Sequence, residues 1–285
     1  MAAARSAPQL GWLALLWACL GLVCARYDLA LSQAVVQKDA SWAQAGQRLG
    51  ELPGVLAFAL AAGLSYARPL RAELSWWQRL VPWLLCALGA AIAVALCGYR
   101  LFDHRLSRVE GGILVGSALL FTRLLRARLG QGWTLPPRLD HSATWTVRLA
   151  VWSWLLVTTL KLTWGRVRFR DLQPTATDFT HWYAPQGWTG HGSFPSGHAA
   201  LGWLLLTSVL LWPRGTREYR WALGLCLLWG TFVASSRVVI GAHYLSDVLF
   251  SSAVAFGVVG YAQRRSEGEA LQRDGVEGAV APVGK

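Results

Sequence analysis

The feature that most constrains this chain is the grouping of its apolar residues. They come in long blocks, and most of the arginines sit in the short gaps between blocks. Residues 80–99 are the clearest case, a run without a single charged side chain. A helix of about twenty residues is what a bilayer's hydrocarbon core requires. Further blocks fall at 9–25, 53–66, 111–125, 147–164, 198–212, 221–234 and 244–261. The expected fold is therefore all-α: a polytopic transmembrane helix bundle of six to eight spans. Eight is preferred; a six-span version demotes 53–66 and 111–125 to re-entrant or interfacial segments. Composition agrees. The chain is 54% hydrophobic and 15% charged, where a soluble domain carries about 25% charged residues.

The charge distribution narrows the class further. A net charge of +12 fits a nucleic-acid binder in the abstract, but arginines confined to gaps between apolar blocks suit membrane topology and anionic headgroups better. No nucleic-acid partner is expected. Many of the 17 tryptophans flank the blocks, as an interfacial belt does. With the N-terminus in the cytoplasm, the arginine-rich gaps 67–79, 126–145 and 213–220 fall inside together with the tail. The gaps 26–52, 100–110, 165–197 and 236–243 then fall outside. Residues 9–25 resemble a secretory signal, yet a retained first anchor is the better expectation in a chain full of spans. Residues 26–51 mix charged and apolar side chains and suggest an amphipathic segment at the surface. The stretch from 263 onward is polar and Gly-rich, with no clear reason to fold. The domain reading is membrane spans and interfacial segments over 1–145, a catalytic membrane core over 146–262, and a flexible cytoplasmic tail over 263–285. The five cysteines lie in or beside apolar blocks without metal-ligand spacing, and small buried hydrophobe is their expected role.

Three polar clusters fall on one side of the expected membrane: Lys161 with Arg166 and Arg168; Ser193 to His198; and Arg237 with His243 and Asp247. Snorkelling at a span end explains one such cluster easily. It does not explain three on one side, two of them holding a histidine at a span boundary. His243 and Asp247 are four residues apart at the start of a block. On a helix they share a face, where the carboxylate can hold one ring nitrogen and leave the other free to attack. Lys161, Arg168 and Arg237 offer positive charge to an anion. Ser196 and Gly197 offer a hydroxyl and amides where a helix begins. The sum is a phosphoryl site with two histidines, one to attack phosphorus and one to protonate the leaving oxygen.

These clusters resemble the signatures of the type 2 phosphatidic acid phosphatase (PAP2) superfamily. The first is a lysine, six residues, then Arg-Pro; here Lys161 and Arg168 keep the spacing but Phe169 replaces the proline. The second, Pro195-Ser196-Gly197-His198, is intact, as is the third, Ser236-Arg237, five residues, His243, three residues, Asp247. The resemblance covers roughly residues 161–261. It implies a PAP2-like core in which His243 is the nucleophile and forms a phosphohistidine, Asp247 orients it, and His198 is the general acid. Lys161, Arg168, Ser196, Gly197 and Arg237 would hold the phosphate. Arg166 and His191 are candidates for headgroup contact or support. No metal or cofactor is implied. The substrate class is a membrane lipid phosphate or pyrophosphate, such as undecaprenyl pyrophosphate, phosphatidylglycerol phosphate, phosphatidic acid or a lipid A phosphate. The arginine-rich, acid-poor inner gaps suit a bacterial inner membrane, with the site on its outer face. A phosphotransferase using the same intermediate and, from another class, an anion or lipid transporter are the competing readings. Oligomeric state is left open.

Overall fold

The computed structural model describes residues 6–67, 75–102, 107–129 and 134–280. Among these the chain is helical with no strands. The helices are α1 (Ser6–Val35), α2 (Ser41–Leu49), α3 (Leu52–Ala67), α4 (Trp76–Phe102), α5 (Arg108–Leu129), α6 (Pro137–Trp164), α7 (Gly197–Trp203), α8 (Arg217–Val239) and α9 (Leu245–Val280). Short 3₁₀ segments cover Phe169–Asp171 and Leu204–Leu211.

Among the described residues, four segments are long and apolar enough to cross a membrane: Gly11–Val35, Ser41–Ser65, Arg217–Val239 and Leu245–Gly268. The eight expected blocks all fall on helices, but several boundaries move. The first block was expected to end at residue 25; α1 runs on to Val35 and buries Asp28. The supposed surface segment over 26–51 is therefore the end of α1 plus α2. It lies largely at the surface, with one face turned inward: Asp28, Ser32, Ala43, Gly46 and Gly50 are buried, and α2 packs against α8. α6 starts at Pro137, inside what read as a connector, and Pro136-Pro137 suits that start because a proline in the first turn lacks only an N–H no helix needs. The 198–212 block is one short α-helix followed by 3₁₀ turns, not a full span. α9 passes residue 263 into the stretch expected to be a tail. Gln263 is held there by Arg214 and Tyr219.

The interior is apolar and centred on α7 and the 3₁₀ segment after it. Trp203, Leu204, Leu206 and Val209 are buried against Leu149 of α6 and Val248 of α9. α1 lies along α9, where the Trp17 ring packs at a tilt against Phe256 and its indole N–H donates to Ser252. α3 packs on α4 and α6. Outward faces carry Trp12, Trp76, Trp152, Trp154 and Trp221, all exposed as lipid- or interface-facing tryptophans are. Cys24, Cys86 and Cys226 are buried free thiols as expected, whereas Cys19 is exposed. Parts of the expected gaps 67–79, 100–110 and 126–145, and the end of the expected tail, lie outside the described residues.

Candidate active site

The three polar clusters converge through hydrogen bonds between motifs. α6 ends at Gly165, whose left-handed conformation (φ 57°) turns the chain sharply. A Cβ there would lie 2.3 Å from the Gly187 carbonyl oxygen, so glycine is required on both counts. That turn carries Lys161 and Arg166 to the same place from opposite sides. Lys161 Nζ donates to the Gly192 carbonyl at 2.6 Å, and Ser193 N donates to the Arg166 carbonyl at 2.9 Å. Arg170 N donates to the Gly241 carbonyl, which ties the first cluster to the third. Ser196 N donates to the Asp247 carbonyl, and Ser251 Oγ to the Ser196 carbonyl, which tie the second to the third.

Asp247 is the hub. It is fully buried, and its Oδ2 meets His243 Nδ1 at 3.3 Å while accepting from Ser193 Oγ at 2.5 Å and Tyr244 N at 3.0 Å. Its Oδ1 accepts from Arg166 Nη1 at 2.6 Å. A carboxylate so held accepts only, so the proton on His243 sits on Nδ1 and Nε2 keeps its lone pair. His243 is 2% exposed. Burial pushes its imidazole down to about 4, against the opposing pull of Asp247, with Lys161 and Arg237 adding to the downward shift. A neutral, oriented imidazole is what nucleophilic attack requires.

Arg166 does not reach outward as a headgroup contact. It is 1% exposed and bridges Asp247 to Asp28 of α1, with Nη2 to Asp28 Oδ2 at 2.8 Å. Its Nε donates to the Thr180 carbonyl, Nη1 also donates to Ser246, and its guanidinium lies 3.9 Å from the centre of the Tyr244 ring. Ser246 also donates, from its amide and its hydroxyl, to Asp28. Arg166 and Asp28 thus form the scaffold behind Asp247. Sequence reading missed Asp28 because its partner Arg166 lies 138 residues away.

The remaining expected residues divide. Arg237 is buried at the end of α8 and donates to Gln47 of α2 at 3.1 Å. Lys161 lies within electrostatic reach of Arg168, Asp247 and Arg237. Arg168 is half-buried, and its Nε has no hydrogen-bond partner. Ser196 is buried and caps α7, accepting from Ala199 N through its Oγ, with Gly197 next to it as the first helical residue. His198 Nδ1 contacts Glu51 Oε1 at 2.8 Å. His191 is exposed on the preceding loop. Phe169 stands in for the expected proline without disturbing the path: Arg168 is extended (φ −74°, ψ 150°), the conformation a following proline imposes, and Phe169 packs edge-on to Tyr244. Trp182 is drawn inward, donating to the Gly21 carbonyl and stacking on Phe194, whereas Tyr183 and Trp188 are exposed. A polar cleft of about 460 Å³ opens beside Gln47, lined in part by Lys38, Arg48, Arg170 and Ile240. Among the described residues, no group of three or more His, Cys, Asp or Glu side chains is placed to hold a metal ion.

One interval of the sequence contains all three clusters. Residues 143–267 match the PAP2 superfamily. The chain is 33% identical over 85 residues to phosphatidylglycerophosphatase B of Escherichia coli K12, covering 29% of this chain and 31% of that protein. It is 38% identical over 114 residues to lipid A 1-phosphatase of Rhizobium etli, covering 38% of this chain and 42% of that one. A lipid A 1-phosphatase of Rhizobium johnstonii matches at 38% over 112 residues, 40% of its length. The similarity spans less than half of each of these relatives. No solved structure matches significantly. Asp28, Gln47 and Glu51 lie outside the PAP2 interval yet touch Arg166, Arg237 and His198 within it.

Proposed function

We propose that this chain is a membrane phosphohydrolase that removes phosphate from a lipid phosphate or pyrophosphate through a phosphohistidine. The observation that carries the reading is the His243–Asp247 pair: a buried imidazole with Nδ1 on a fixed carboxylate, set among Lys161, Arg168 and Arg237. The Nε2 lone pair of His243 attacks phosphorus, and the bond from phosphorus to the lipid oxygen breaks with its electron pair on that oxygen. His198 supplies the proton. Water then attacks the phosphohistidine, gives a proton back to His198, and the phosphorus–nitrogen bond pair returns to His243. Cationic side chains offset the charge that builds on the non-bridging oxygens. The Arg168 Nε lacks a partner, and a phosphate oxygen would supply one.

Lipid as the carrier of the phosphate is supported by the four membrane-length apolar segments and by relatives named for lipid phosphates. The basic cleft beside Gln47 suits an anionic headgroup approaching Arg237. The site would open on the outer face of a bacterial inner membrane, following the arginine asymmetry of the gaps. The test is phosphate release by the purified protein from a panel of phosphatidic acid, phosphatidylglycerol phosphate, undecaprenyl pyrophosphate and lipid A, with His243→Ala as control. Free phosphate from the wild type and none from the variant supports hydrolysis. A phosphorylated acceptor lipid in place of free phosphate would make it a transferase, and turnover by His243→Ala would refute the covalent route.

A further inference from the structure

Glu51 sits where no carboxylate should be without a reason. It occupies the break between α2 and α3, inside Ser41–Ser65, a segment long and apolar enough to cross a membrane as one piece. An ionisable side chain inside so apolar a segment is costly unless it is paired. Its partner is His198 Nδ1, at 2.8 Å, with the two side chains only 12% and 20% exposed.

The contact is built, not incidental. Gly46, Gly50 and Gly54 recur every fourth residue along this corner, which lets two backbones approach closely. A Cβ on Gly46 would lie 2.5 Å from Ser236, one on Gly50 3.0 Å from Val233, and one on Gly54 2.0 Å from the Leu201 carbonyl oxygen. The corner is thereby seated on α8 beside Arg237 and on α7 beside His198. From it, Gln47 and Glu51, four residues apart, reach Arg237 and His198 respectively. Both lie outside the PAP2 interval.

We propose that Glu51 is a positioning residue for the general acid. Its carboxylate accepts the Nδ1 proton of His198, which leaves Nε2 as the nitrogen that serves the reaction. The negative charge also favours the imidazolium that must donate to the leaving lipid oxygen. The role rests on the phosphohydrolase reading. It assigns the N-terminal part of the chain a share in the chemistry, beyond anchoring.

Leaving-group dependence separates positioning from simple packing. Breaking the bond to a lipid alkoxide needs a proton; expelling p-nitrophenolate does not. Glu51→Gln keeps the size and an acceptor oxygen but removes the charge. Measured as kcat/KM, which reports events up to phosphoryl transfer, Glu51→Gln is expected to lose about 10²-fold on dioctanoyl phosphatidic acid and less than about threefold on p-nitrophenyl phosphate. Retained aryl-phosphate turnover also shows that the variant is folded. The double variant Glu51→Gln/His198→Ala should be no worse on phosphatidic acid than His198→Ala alone, because one residue acts through the other. Equal losses on both substrates, no loss on phosphatidic acid, or multiplicative losses in the double variant would overturn the proposal. A wild type silent on both substrates would instead refute the phosphohydrolase reading, and the positioning role with it.

Discussion

Replacing Arg166 with methionine would separate a scaffold role from a substrate contact. The guanidinium is buried between two buried carboxylates, at 2.8 Å from Asp28 and 2.6 Å from Asp247. Methionine keeps an unbranched apolar stem against the Tyr244 and Phe179 rings but removes the charge between the two acids. Breaking a buried ion pair from one side costs about 3–5 kcal/mol, because the remaining charge stays buried without compensation. Here two carboxylates lose their common partner, so the upper part of that range applies. A loss of that size lowers the apparent melting temperature in detergent by roughly 6–15 °C. Asp28→Asn alone should also destabilise, and the double variant should recover at least about 1 kcal/mol of the summed losses, since the unpaired carboxylate is gone. Turnover should fall in Arg166→Met through kcat, because Asp247 no longer holds His243 in place. An unchanged melting temperature with a raised KM and normal kcat would refute the scaffold role and make Arg166 a phosphate or headgroup contact.

Two other expectations follow from the same geometry. His243 is pushed down to about 4 by burial, so kcat/KM, corrected for the titration of the substrate phosphate, should hold well below pH 6 and fall as pH drops through about 4; an acid limb near the ordinary histidine value would contradict the buried neutral imidazole. The sign for stability is the same: a folded value below the unfolded 6.5 means His243's contribution is complete above that value and is lost as pH falls from there through about 4. Gly54→Ala places a Cβ 2.0 Å from the Leu201 carbonyl and should cost about 1–3 kcal/mol in thermal or denaturant unfolding, whereas Gly63→Ala in the same helix meets nothing within 4 Å and should be neutral.

The parts of the site legible in the sequence were the parts whose spacing is local. His243 and Asp247 lie four residues apart, and Ser196 to His198 are contiguous, so the chain alone brings their side chains together. Asp28 and Glu51 were not legible as site neighbours. Their partners lie far along the chain, and in sequence they look like ordinary charges in a mixed segment. That segment read as surface because charge was equated with solvent, but two of its acids face inward on protein partners. The four-residue glycine spacing at 46, 50 and 54 was the signal that this corner packs closely against something. Block boundaries moved for a related reason: α1 continues past Asp28 because Arg166 and Ser246 satisfy the carboxylate there. The 198–212 block promised a span from hydropathy alone, which does not register the change to 3₁₀ turns after Trp203.

The most direct test of the covalent mechanism is rapid acid-free quenching of the purified protein during turnover of phosphatidic acid carrying a radiolabelled phosphate, followed by peptide mapping. Label should appear on His243 in an acid-labile, base-stable linkage and be absent from His243→Ala; with radiolabelled p-nitrophenyl phosphate, whose leaving group needs no proton, it should persist longer in His198→Ala, where water is no longer deprotonated for the second step. Steady phosphate release with no labelled protein at any quench time, or label retained in His243→Ala, would contradict His243 as the nucleophile.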